Sequence, residues 1–266
     1  MKKNILKSVI GIFLILGISF FSCEEPQFNP DKSTAEDNAR AEGSIIDVFG
    51  FVSNNSEGGE KLLNTDTACY DIEFTIDSVA GTRTLVITFD EAGCTIDELV
   101  YKGKITTVFT GSWIKVGSSL VTTFTEFERD GVKLSGSISA TYSQLDADGP
   151  LHTITSTNMV NTYSDGKTVS WSGTKTIKWL SGYFTHRNRS DDKLKIDGNL
   201  TGLNRAGESF TSISADLIKE PLCKLFVSGT VTITKGIDVI AINFGSGECD
   251  GEFSVTQNNQ TVVVNP

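Results

Sequence analysis

Histidine is almost missing from this 266-residue chain; it occurs only as His152 and His186. Two histidines so far apart make no H-E-x-x-H metal helix, and no G-x-S-x-G, phosphate-loop or dinucleotide fingerprint is present either. Serine is plentiful, yet no local arrangement marks one as a nucleophile. Proline is scarce: between Asp31 and Val264 only Pro150 and Pro221 occur, which excludes a proline-rich stalk. Positive charge is short, with 23 Lys and Arg against 33 Asp and Glu. A nucleic-acid duplex or an anionic membrane surface is repelled by such a balance, so nucleic acid is not an expected partner. There is no convincing amphipathic helical pattern, and only one long apolar run.

That run opens the chain. Lys2, Lys3 and Lys7 precede Ser8 to Phe21, which carries no charge. About 14 residues at roughly 1.5 Å each make a helix of about 21 Å, short of a hydrocarbon core of about 30 Å. The segment therefore reads as a signal peptide, residues 1–22. All three of its charges are basic, so the remainder has a net charge of −13. Ser19-Phe20-Phe21-Ser22-Cys23 resembles the signal of a bacterial lipoprotein of the Bacteroidetes type. Phe20 and Phe21 stand where the stricter pattern has leucine and a small residue. Glu24-Glu25 resembles the short acidic export signal of surface-exposed members of that group. The resemblance implies lipidation at Cys23, an outer-membrane anchor and exposure on the cell surface. It implies no activity. Asp66-Thr67-Ala68 is similar to a three-residue O-glycosylation motif of the same group, and Asp77-Ser78-Val79 matches it in mid-strand.

Residues 23–44 carry many charges and little apolar surface, and read as a lipidated cysteine followed by a flexible acidic tether. Residues 45–266 then read as a single all-β domain, with a first strand over 45–52. Four cysteines remain for an oxidising compartment, Cys69, Cys94, Cys223 and Cys249. The midpoint of the first pair falls at Gly81-Thr82, suited to a type II′ hairpin. That register opposes Phe74 to Phe89 and Ile76 to Ile87, with Cys69 near Cys94. A second hairpin turns at Lys235-Gly236, opposing Val231 to Ile240, and needs a bulge near Gly245-Ser246-Gly247 to align Cys223 with Cys249. Disulfides 69–94 and 223–249 follow, each worth about 3 kcal/mol in the chain-entropy model. Zinc is disfavoured by the absence of a C-x2-C knuckle. No cofactor is expected.

Between the hairpins the chain alternates apolar and polar residues. Strands are expected at 98–108, 119–127, 132–142, 151–163, 167–180, 194–202 and 207–219, separated by turn signals such as Asp130-Gly131. An apolar-x-Gly-x-residue-Thr/Ser motif recurs around Gly103, Gly136, Gly173, Gly198 and Gly229, broken once by Lys175. Repeated strand glycines suggest bending, or room for a neighbouring ring. The expected fold is a long, strongly curved antiparallel meander, open or closed as a barrel, with a two-sheet sandwich as runner-up.

The candidate sites are few. Asp90-Glu91 with Asp97-Glu98 is the densest acidic group, more consistent with a solvated hairpin end than with catalysis or calcium. Trp171, Trp179 and Tyr183, with Arg187 following, form the best candidate platform for a glycan, although core packing is the commoner fate of such rings. The expected function is a non-enzymatic, lipid-anchored binding or structural module of the cell surface. A carrier of lipid or another apolar ligand in the curved sheet is one alternative, and a glycan-binding protein another.

Overall fold

A computed structural model describes residues 28–56, 69–146, 149–183, 185 and 189–265. Its first element is a helix, α1 (Lys32–Asn54). Thirteen strands follow: β1 (Tyr70–Asp77), β2 (Thr82–Ile96), β3 (Leu99–Thr110), β4 (Ser119–Arg129), β5 (Val132–Asp146), β6 (Gly149–Thr162), β7 (Thr168–Ser181), β8 (Lys193–Leu203), β9 (Ser209–Lys219), β10 (Ser228–Lys235), β11 (Asp238–Ser246), β12 (Phe253–Gln257) and β13 (Gln260–Val264). Each pairs antiparallel with its sequence neighbours alone, so the chain makes one continuous meander. Among the described residues the sheet does not close: β1 and β13 each have a single neighbour. The fold is the open, curved member of the expected set.

Curvature comes from bulges, three of them placed opposite glycines of the repeated motif. Register slips at Gly103, Gly136 and Gly229, where one residue faces two on the partner strand. The extra residues are Glu126-Phe127, Asn158-Met159 and Asp216-Leu217, and the first of each pair has positive φ. An added residue bends its strand and strengthens its twist. The glycine opposite then meets backbone at close range. A Cβ at Gly103 would lie 2.1 Å from the Glu126 carbonyl oxygen, and one at Gly229 2.4 Å from that of Asp216. The atoms being accommodated are backbone, so the motif serves bending.

Both disulfides form, with Cα atoms 5.2 Å apart for Cys69–Cys94 and 5.4 Å for Cys223–Cys249. The hairpin registers differ from expectation. β1 and β2 join through a four-residue turn in which Asp77 caps the amides of Val79 and Ala80. Phe74 therefore faces Leu85, and Ile76 faces Arg83. The displacement is an even number of residues, so each side chain keeps its face. In the second hairpin Ile233 faces Ile240 and Val231 faces Ile242. The bulge falls at Phe244-Gly245 opposite Gly229.

The largest correction concerns residues 32–54. The expected tether to residue 44 and first strand over 45–52 are one helix lying against the concave face of the sheet. Pro30 and Asp31 start it; Asp31 accepts from the Thr34 amide at 3.0 Å and from the Thr34 hydroxyl at 2.7 Å. Hydrogen bonds link α1 to Tyr101 on β3, Lys175 on β7 and Ser214 on β9, and its cap Asp31 to Gln257 on β12. Phe51 packs on Phe89 and Tyr101, and Phe49 on Trp113, His152 and Trp179. Between Thr34 and Val52 only Glu36, Arg40, Asp47 and Gly50 are not buried. A helix enclosed on nearly all sides has no broad polar face, and so no amphipathic signature.

Candidate functional site

Glu36, Arg40, Asp47 and Gly50 recur at near-helical spacing and form one stripe along α1. The stripe is the floor of a slot. One wall is the end of β3 to β5, with Leu99, Tyr101, Arg129, Asp130 and Val132. The other is the end of β9 and the segment after it, from Lys219 to Leu225. Arg129 reaches across the helix over Gly43, where a Cβ would lie 2.9 Å from its Nη2. It ends on Asp47, at 2.7 Å from Nε. This bridge divides the slot into a small pocket of about 50 Å³ beside Phe51 and Asn54, and a cavity of about 320 Å³ beside Arg40.

The bridge is tightly held. Tyr101 donates to Asp47 at 3.1 Å. Burial alone pushes the Asp47 carboxyl up, but the charges of Arg129 and Lys219 and these hydrogen bonds hold it below its ordinary value. Burial and the Asp47 charge push the Tyr101 hydroxyl well up. On the cavity side, Asp37 accepts from Tyr163 at 2.6 Å and from Arg205 Nε at 2.8 Å. Arg205 stacks on the Tyr163 ring, 4.2 Å from its centroid. Asp37 and Arg129 are thus committed to protein partners.

The expected glycan platform is not open. Trp171 and Trp179 do share one face of β7, but it is the concave face, where they are 2% and 6% exposed. Tyr183 is half-buried and packs edge-on against Trp179. Arg187 lies outside the described residues, as do Cys23, the signal peptide and Asp66-Thr67-Ala68. Asp77-Ser78-Val79 closes β1 and enters an exposed turn rather than lying in mid-strand. The concave face expected to cup an apolar ligand is filled by α1. Among the described residues no three His, Cys, Asp or Glu side chains converge as a metal-binding group. Among the same residues no helix is long and apolar enough to cross a membrane.

Lys175, the break in the glycine motif, meets Glu42 in the middle of α1. Its Nζ lies 2.6 Å from Glu42 Oε1 and 2.7 Å from Ser214 Oγ, and Ser214 donates to the same carboxylate oxygen at 2.7 Å. A hydroxyl beside an amine is the geometry of an activated nucleophile. Here the lysine and glutamate side chains are each 1% exposed, so no substrate reaches the trio. It is a clamp between helix and sheet.

At the far end of α1, His152 is enclosed by Phe49, Trp113, Tyr142 and Trp179, with ring centroids 4.7 to 5.4 Å away. Burial lowers its pKa to about 4. The folded protein thus resists a proton that the unfolded chain accepts near pH 6.5. Stability should fall as pH drops from about 6.5 to about 4, by roughly 3 kcal/mol in total. His152→Phe should abolish that loss while leaving the carboxylate-dependent loss at lower pH. Thermal unfolding of both proteins at successive pH values checks it; parallel curves down to pH 4 would refute it.

Compared with known proteins, the chain matches no family model, no curated protein sequence and no solved structure. Fold and site define the described residues as an open antiparallel meander filled by helix α1, with a slot along that helix. Sequence reasoning missed Arg40, Arg129 and the slot because Arg40 lay in the expected tether. The Pro30-Asp31-x-x-Thr34 cap was the available signal.

Proposed function

We propose that the protein is a non-enzymatic, lipid-anchored module of the outer membrane, exposed on the cell surface, that binds or displays rather than transforms. The reading is carried by a lipoprotein-type leader joined to a body with two disulfides, which suit an oxidising compartment. The helix cap supports it. Only seven residues separate Cys23 from Asp31, at most about 28 Å of chain. An anchor at Cys23 therefore holds the body close to the bilayer. The β8–β9, β10–β11 and β12–β13 hairpins lie nearest, since Asn204, Lys235 and Gln257 bond to the start of α1. The slot gives such a module a place to bind.

A membrane-impermeant amine label applied to intact cells tests the address. Strong labelling before permeabilisation is expected, and Cys23→Ala should move the protein to the soluble fraction. Labelling seen only after permeabilisation rejects surface exposure, and a Cys23→Ala protein that stays in the membrane rejects the anchor.

A further inference from the structure

The geometry points to the 320 Å³ cavity beside Arg40 as a binding site for a small amphipathic monoanion, a single carboxylate-like head on a short apolar tail. The volume falls at the small end of small-molecule sites. Ala39, Leu99, Val132 and Leu225 give it an apolar lining. Four cations line it, and three are engaged: Arg129 by Asp47, Arg205 by Asp37, and Lys224 by contacts of its own. Arg40 alone makes no ion pair or side-chain hydrogen bond to a described residue. Arg40 is half-buried as a residue, and its guanidinium carries paired donors that match a carboxylate.

The acids of the cavity set the charge of the ligand. Asp37 is saturated by Tyr163 and Arg205. Glu36 and Asp130 remain on the lining, and they repel a second negative charge. A monoanion satisfies Arg40 and a polyanion does not. The site deepens the binding-module reading and rests on it only for where the ligand is met.

Calorimetric titration tests the site on the full mature chain carrying Cys23→Ser, exported so that both disulfides form. The probes are octanoate, 1-octanol and suberate, equal in chain length and differing in charge. Octanoate should bind about tenfold or more tightly than the other two, the difference expected of one charge-assisted hydrogen bond. Arg40→Gln should erase that advantage and leave octanol unchanged. Glu36→Gln should improve suberate. Leu225→Trp, which fills the wall, should weaken all three. Equal affinities, an Arg40→Gln protein that binds octanoate normally, or an absence of heat with all three probes at millimolar concentration each overturn the site. The surface-labelling experiment stands apart from these results, so the site and the address fail separately.

Discussion

Replacing Lys175 by methionine should destabilise the protein by about 3–5 kcal/mol, because it leaves Glu42 without its cationic partner in a closed interior. The two side chains are 133 residues apart in sequence and meet at 2.6 Å. Glu42 also has one carboxylate oxygen, Oε2, with no hydrogen-bond partner, so the pair is incompletely satisfied. A buried pair of this kind has an asymmetric energy. Breaking it is costly, whereas replacing both partners by apolar groups of similar volume is often neutral or favourable. Glu42→Leu with Lys175→Met should therefore recover most of the loss or exceed the parent. Urea unfolding of the parent, both single variants and the double variant closes the cycle. A Lys175→Met protein as stable as the parent would show that the ion pair does not clamp helix to sheet.

Gly229→Val should have a comparable effect for a different reason. Its φ is 99°, a region closed to β-branched residues. Its Cβ would also lie 2.4 Å from the Asp216 oxygen and 2.6 Å from the Leu217 Cα. Overpacking and backbone strain each cost about 1–3 kcal/mol, so a total of about 4 kcal/mol is expected. Gly236→Ala is the control. That glycine also has positive φ, but nothing lies within 4 Å of its would-be Cβ, so it should lose only about 1 kcal/mol. Equal unfolding midpoints for the two variants would mean that close approach at the bulge does not matter.

The strands from β3 to β9 were legible because each sheet face is chemically distinct. Along β7, Trp171, Lys175, Ile177 and Trp179 point inward and alternate with more exposed residues. The disulfides were legible because each closes its own hairpin or loop. The β1–β2 register was not, since Gly81 drew attention to a tight turn while the Asp77 cap made a longer one. Strands β12 and β13 carry no such signal; each has only five residues, too few for a clear period. The helix was hidden by its surroundings. Asp37, Glu42 and Asp47 look like solvated charges until Arg205, Lys175 and Arg129 arrive from strands far along the chain. The slot was hidden with it, because its floor is that helix.

The position of α1 also governs the order in which the molecule can be completed. The helix is the first described element of the chain, yet some of its partners lie far along it. Asp31 bonds to Gln257 across 226 residues, and Glu42 to Ser214 across 172. Contacts of such long range are slow to form, because the intervening chain must be closed before they stabilise anything. Until β9 and β12 arrive, Glu42 lacks Ser214 and Asp31 lacks Gln257. A chain cut short before β12 lacks the strand that receives the start of α1. The cap of the helix is therefore completed late, and only once β12 is in place.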